Sequence, residues 1–338
     1  MSIEQLGIGV LWSFLYGYLI VASIDFGAGF YAYYGRLIGQ ESIIAPVISR
    51  YLSPVWEVTN VFLVFFFVGL VGFFPETAHY YGTALLIPGS IALVLLSIRG
   101  SFYAFANYGA KKNSFYLFAY GMTGLLIPAS LATVFTISEG GFIAVHGARI
   151  ELLMAELFYS TYSWAVVLLA MSSVLFISSA FLAYYAARAR DERALELMRQ
   201  FALWGGVPTI ISSLFVFIAL RNHNLEHFER TLDIWWMFGL SLISFLGAAW
   251  LIWRRKQYGL AFVLVMLQFA FAFYGYGISH LPYLLYPHLT IYGSVTNPAS
   301  GRALVAVFVA GFALLVPSLV LLMRLFLFNV RYVKGELS

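Results

Sequence analysis

Three ionisable residues lie inside long apolar stretches of this sequence, where a charge is energetically costly. Asp25, Glu57 and Arg99 fall in the first three of these stretches. A charged side chain at the centre of a bilayer costs roughly 2.5–3.5 kcal/mol even on the translocon-insertion scale. Two acids against one base leave a net negative group, in which one carboxyl could exchange a proton near neutral pH. The pattern indicates a proton relay or a polar pathway.

Asp25 and Arg99 also have a purely structural interpretation. They could form an ion pair that does no more than lock two helices together. Asp25 is followed by Gly27 and Gly29, and small residues let another helix backbone approach closely in a membrane. The sequence leaves both interpretations open for this pair.

Glu57 follows Trp56 near the start of the second apolar stretch. An acid in the first turns of a helix interacts favourably with the helix dipole. Glu57 could therefore be a helix-start residue rather than a proton carrier, and this alternative also stays open.

The composition identifies the class of protein that holds these residues. The chain has 338 residues, of which 62% are hydrophobic and only 10% are charged, and its mean hydropathy is +0.87. Soluble domains carry about 25% charged residues, so we predict an integral membrane protein. The net charge of +4 is then no sign of nucleic-acid binding. The absence of cysteine excludes disulfides, thiolate catalysis and iron–sulfur ligation.

The apolar runs predict helices rather than a closed barrel, because runs such as Val61–Val71 are continuously apolar instead of alternating. We predict an all-α polytopic membrane protein, a single membrane domain over residues 1–338 with about nine transmembrane helices. Their predicted ranges are 6–35, 52–74, 80–105, 115–137, 157–188, 200–220, 234–253, 258–279 and 303–329.

The distribution of basic residues predicts the orientation. Lys and Arg cluster in the loops after helices one, three, five and seven and in the C-terminal tail. The remaining loops hold only Arg149, Arg221, Arg230 and Arg302. The positive-inside rule then places the N-terminus outside and the C-terminus in the cytoplasm. On this orientation Asp25, Glu57 and Arg99 lie in one layer near the cytoplasmic face, where they could meet.

Every histidine falls in or beside a loop predicted to face outside. The six are His79, His146, His223, His227, His280 and His288. None lies in the middle of a predicted helix, so a transmembrane heme site with two histidine ligands is not expected within this chain. His223 and His227 are four residues apart, but loop histidines are far more often solvated than metal-bound, and no metal site is predicted.

Several short segments, taken in order, resemble subunit II of the cytochrome bd-type quinol oxidases. They are Asp25-Phe26-Gly27-Ala28-Gly29, Pro54-Val55-Trp56-Glu57, Phe73-Phe74-Pro75-Glu76, Arg99-Gly100, Pro282-Tyr283, Leu289-Thr290-Ile291-Tyr292 and Pro298. The resemblance covers nearly the whole chain. The chain departs from the family at Ala22, where an acid is usual, and in the residues that follow Glu57, which suggests a divergent branch.

The resemblance implies two four-helix bundles, about 1–140 and 150–280, and a peripheral helix at about 300–330. It implies a subunit I as partner, which carries two b-type hemes and one d-type heme or a b-type variant. It also implies quinol as substrate, reduction of oxygen to water, and contacts with membrane lipid and quinone. A small accessory membrane subunit is a further candidate partner. The resemblance also implies that Asp25, Glu57 and Arg99 form a cluster that either conducts protons or sets the structure. Trp56 would be the packing neighbour of this cluster.

Two other functions compete with this interpretation. Buried charges in a helical bundle also mark the substrate sites of secondary transporters. However, the second half of the chain lacks charge in the middle of its helices, and helix-breaking residues are not paired between the halves. A purely structural scaffold, with all three charges in static pairs, is the other alternative.

Overall fold

The computed structural model describes residues 2–106, 114–147, 149–293, 297–322 and 324; the side chains of residues 49–58, 102–106 and 298 lie outside this description. Helices make up most of the described chain. They are α1 (Ile3–Leu37), α2 (Glu41–Phe73), α3 (Glu76–Ala84), α4 (Leu86–Ala106), α5 (Ser114–Ser138), α6 (Met154–Tyr159), α7 (Thr161–Ala189), α8 (Glu192–His223), α9 (Leu225–Asp233), α10 (Trp235–Trp253), α11 (Tyr258–His280) and α12 (Pro298–Leu322).

Polar residues at the helix starts explain several of these boundaries. The hydroxyl of Ser2 accepts a hydrogen bond from the Gln5 amide, and the Gln5 side chain accepts one from the Ser2 amide. The side chains of Ser160, Asp191 and Asn224 accept a backbone amide hydrogen bond at the starts of α7, α8 and α9. These caps satisfy backbone amides that have no partner within the helix. In lipid, where water is absent, a continuous helix satisfies the remaining backbone groups.

The apolar helices confirm an all-α polytopic membrane protein. Among the described residues, seven helices are long and apolar enough to cross a membrane: α1, α5, α7, α8, α10, α11 and α12. The pair α3–α4, bent by 76°, would make an eighth as one broken span. Helix α2 contributes a shorter apolar segment, Thr59–Phe73. The number nine stays a prediction.

Some element boundaries differ from the predicted ones. The third predicted helix is broken between α3 and α4, and the fifth is interrupted between α6 and α7. Two small antiparallel hairpins lie at the same end of the molecule as the C-terminal ends of α5 and α11. They pair β1 (Ile143–His146) with β2 (Arg149–Leu152) and β3 (Tyr283–Leu285) with β4 (Leu289–Thr290).

Helix α1 lies at the centre of the packing. It contacts α2, α5 and α7 extensively, and α12 and α11 less. Helix α4 packs on α5, α7 packs on α8 and α11, and α10 packs on α11. Helix α12 is mostly exposed, and within the described part of the chain its main contacts are with α1 and α2. The central position of α1 brings Asp25 into the interior.

The contact between α1 and α7 depends on the absence of a side chain at Gly27. The Ser178 hydroxyl of α7 donates to the Ile24 carbonyl at 2.9 Å. A Cβ atom at Gly27 would overlap the Ser178 side chain and lie 2.8 Å from the Val174 carbonyl oxygen. Because backbone atoms cannot rotate away, the two helices would have to separate.

We expect Gly27→Ala to lower the free energy of unfolding by about 1–3 kcal/mol, the usual cost of overpacking a core. Thermal unfolding of the purified complex in mild detergent measures this effect. Gly9→Ala on the same helix is the control, since a Cβ at Gly9 would meet nothing within 4 Å. Equal stability of the two variants would contradict the tight contact.

Candidate functional site

A buried ion pair joins Asp25 of α1 to Arg99 of α4. The Arg99 Nε donates to Asp25 Oδ2 at 2.9 Å, and Nη2 donates to the Asp25 carbonyl at 2.6 Å. The remaining nitrogen, Nη1, donates to the Tyr120 carbonyl of α5 at 3.0 Å. The two side chains are 3% and 1% exposed. One guanidinium thus ties three helices together in the interior.

Aromatic rings and a glycine shape the space around this guanidinium. Its Cζ lies 4.1 Å from the centroid of the Tyr120 ring and 5.3 Å from that of Phe26. A Cβ atom at Gly29 would lie 2.8 Å from Nη1 and 2.9 Å from Nη2. Gly29 therefore leaves room for the cation, whereas Gly27 serves the contact with α7. Cations are stabilised over ring faces, and more so without water.

Asp25 and Arg99 differ in whether they can exchange a proton. An arginine guanidinium keeps its proton in proteins, so Arg99 can set charge and position but does not relay protons. Proton exchange at this site would need a carboxylate. Asp25 is one; Glu57 is the other candidate in the predicted layer. Glu57 and Trp56 belong to α2, but their side chains lie outside the described part of the chain.

A second cluster of ionisable side chains lies at the end of the molecule that carries the hairpins. Glu139 follows α5 directly, His227 is in α9, and His280 is the last residue of α11. The His227 Nδ1 is 2.8 and 2.9 Å from the two carboxylate oxygens of Glu139. The His280 Nδ1 is 3.4 Å from Glu139 Oε1. All three residues are buried.

Neutral donors complete the surroundings of the Glu139 carboxylate. The Tyr276 hydroxyl donates to Oε1 at 2.7 Å, and the Asn224 amide donates to Oε2 at 3.2 Å. Burial by itself would raise the pKa of Glu139, but the facing His280 and the hydrogen-bonded His227 outweigh it and lower that pKa. The carboxylate is therefore charged, and its partners come from α8–α9 and α11.

The position of these histidines corrects one expectation. They do lie at helix ends and loops, but His227 and His280 are buried rather than solvated. The short amphipathic helix α9 packs against α8 and α11 and turns His227 and Thr231 inward. Long apolar runs in a sequence indicate membrane-spanning helices. They give no signal for a short polar helix such as α9, which covers the end of the helix bundle.

A spacing signal for this cluster is nevertheless present in the sequence. Tyr276, Ser279 and His280 are three and four residues apart, so they share one face of α11. His227 and Thr231 are four apart on α9. Neither pattern points to Glu139, which only the tertiary packing brings to them.

Comparisons with known proteins agree over almost the whole length. Residues 3–326 match the family described as "Cytochrome bd terminal oxidase subunit II". The chain is 34% identical to the "Putative cytochrome bd menaquinol oxidase subunit II" of Bacillus subtilis (strain 168), covering 98% of this chain and 97% of that protein. It is also similar to a chain in "The structure of bd oxidase from Geobacillus thermodenitrificans", with 56% identity, a TM-score of 0.85, and coverage of 97% of this chain and 100% of that one. This chain belongs to the family of cytochrome bd terminal oxidase subunits II.

Proposed function

We propose that this chain, a membrane subunit of a quinol oxidase complex, binds no heme itself, stabilises the heme-bearing subunit I, and contributes part of a proton path from the cytoplasm. The complex would oxidise a quinol and reduce oxygen to water. One observation carries the proton-path proposal: Asp25 of α1 is buried against Arg99 of α4. Burying a carboxylate within a membrane helix costs free energy, and such residues commonly mark proton or ion pathways. This supports a role for Asp25 in proton movement.

The register of α1 against α2 supports a place for Glu57 in the same path. The two helices run antiparallel, with Gly17 next to Phe62 and Gly35 next to Ile44. On this register position 57 comes level with Ala22, one turn from Asp25 along α1. The two acids would then be near enough in depth to exchange a proton through a short chain of water.

The expected orientation gives the path its direction. If the basic loops face the cytoplasm, the termini lie as predicted, with the N-terminus outside a bacterial or archaeal plasma membrane. Position 57 is then closer than Asp25 to the middle of the membrane. Protons entering at the cytoplasmic face would reach the Asp25 layer first and then continue toward subunit I. A small accessory subunit, lipid and quinone remain further candidate partners.

Glu57→Gln tests this role, because it keeps the shape of the side chain and removes its charge. We expect oxygen consumption with quinol to fall roughly a hundredfold or more, as for loss of a proton-transfer group. The heme content of the complex, read from its absorption spectrum, should stay unchanged. Glu156→Gln, at an exposed position in the first turn of α6, is the matched control.

Normal turnover in Glu57→Gln would remove the relay role and leave only a structural one for the acid. Purification also separates the oxidase from the transporter alternative. The oxidase subunit should copurify with a heme-bearing partner and show a Soret band, whereas a transporter would be colourless. A colourless preparation that retains the intact chain would contradict the proposal.

A further inference from the structure

The side chains of Glu139, His227 and His280 form a group of metal-ligating type apart from the Asp25–Arg99 pair. One ligand atom from each lies within 4.8 Å of the others. Glu139 Oε1 is 2.8 Å from His227 Nδ1 and 3.4 Å from His280 Nδ1. Around tetrahedral Zn²⁺, with ligand distances of about 2.0–2.2 Å, neighbouring ligand atoms are about 3.3–3.5 Å apart. Small side-chain shifts would let the three atoms share one ion.

His280 is the member of the group whose environment is incomplete. The residue is only 8% exposed, yet neither ring nitrogen has a hydrogen-bond partner among the described residues. A buried polar group without a partner costs about 1–3 kcal/mol. The ring stacks on Tyr276, with planes 9° apart, so its direction is fixed. A metal cation beside the Glu139 carboxylate could bind the unpartnered imidazole nitrogen, which would then act as its ligand.

The contacts of His227 leave its Nδ1 facing the Glu139 carboxylate and its Nε2 facing Ser279. Its Nε2 lies 2.7 Å from the Ser279 hydroxyl oxygen. That hydroxyl also lies 2.9 Å from the Tyr276 carbonyl, to which it can donate, so it can accept from an Nε2–H of His227. In that tautomer of the neutral imidazole the lone pair is on Nδ1, 2.8 Å from a carboxylate oxygen and free to bind a metal ion. A contact this short needs either a proton or a metal ion between the two atoms, and a metal ion there would also reach His280.

An outer layer of hydrogen bonds holds all the donors in place. Tyr276 and Asn224 donate to the carboxylate, and Ser279 orients His227. Ligating histidines and carboxylates in metal sites are commonly held by such partners, which fix the ring orientation and tautomer. The group therefore has the ligands, the spacing and the outer contacts that a metal site requires.

We propose that Glu139, His227 and His280 bind one divalent transition-metal ion, for which Zn²⁺ is the best match, with a fourth position left for water. Two imidazoles and one carboxylate are a common zinc donor set. The ion would join the segment after α5, the covering helix α9 and the end of α11. Its role is to fasten this end of the molecule.

Metal analysis of the whole oxidase complex tests the proposal. The complex is purified with an affinity tag that contains no histidine, incubated with Zn²⁺ and freed of excess metal. We expect His280→Ala to contain one equivalent of zinc per complex less than the wild type. His288→Ala, at an exposed histidine between β3 and β4, should contain as much as the wild type. Equal zinc in all three samples would overturn the proposal.

A measurement on the wild-type complex covers the case in which His280→Ala fails to assemble. Anomalous scattering at the zinc edge should place an ion among the three side chains. A chelator should lower the Tm of the complex, and added Zn²⁺ should restore it. No zinc-edge signal at this place, together with a Tm indifferent to chelator, would show that only protons join Glu139 to the histidines and would refute the metal site.

Discussion

Arg99→Met is expected to lower the free energy of unfolding of this subunit by about 3–5 kcal/mol, the usual cost of removing one partner of a buried ion pair. Arg99 donates three hydrogen bonds, to the Asp25 side chain, the Asp25 carbonyl and the Tyr120 carbonyl. Methionine fills much of the volume but supplies no donor. The Asp25 carboxylate would remain buried without this cation. Loss of heme-bearing complex after extraction and a lower Tm measure the effect.

Asp25→Asn is the informative comparison, because the two partners are not equivalent. In this variant the guanidinium keeps both carbonyl acceptors and its position over the Tyr120 ring. We therefore expect a smaller loss of stability than for Arg99→Met. Equal losses for the two variants would show that the charge of the carboxylate, rather than the network of the arginine, governs stability here.

Glu139→Ala is expected to have a comparable effect, again about 3–5 kcal/mol, at the opposite end of α5. The carboxylate accepts from Tyr276 and Asn224 and faces His227. Alanine would leave all three without this acceptor in a buried position. The thermal unfolding transition of the purified complex measures the loss.

Glu151→Ala is the matched control for this prediction. Glu151 is exposed on β2, and its contact with Arg149 at 3.7 Å is a surface pair. Surface pairs contribute about 0–1 kcal/mol, so the control should unfold close to the wild type. A Glu139→Ala complex as stable as the control would mean that the cluster relaxes without cost.

Hydropathy and charge placement predict much of this architecture from the sequence. The apolar runs locate the membrane helices, because each span must be long and free of charge. The same reasoning draws attention to Asp25 and Arg99, since charge is conspicuous in an apolar run. The two side chains carry opposite charges at similar predicted depths, so a pairing between them could be expected. In the structure the Arg99 Nε lies 2.9 Å from Asp25 Oδ2.

The cluster around Glu139 is much harder to predict. Its members lie at helix ends, where charged and polar residues are ordinary. Nothing in a single sequence relates the end of α5 to His227 and His280, because the covering helix α9 adopts its position through packing alone. The bend between α3 and α4 is hidden for a similar reason: the two helices together are apolar enough for one span, so mean hydropathy shows no break between them.

The two clusters differ in when they can be completed during biosynthesis. The chain is made from its N-terminus, so Asp25 enters the membrane long before its partner on α4. Asp25 is therefore already in place when Arg99 leaves the translocon, and this ion pair can form within the first half of the chain alone. The surroundings of Glu139, in contrast, are complete only after His280, at the end of α11, has been made. A ribosome stalled after α5 would thus yield a fragment in which Asp25 and Arg99 can pair, whereas Glu139 still lacks both histidines.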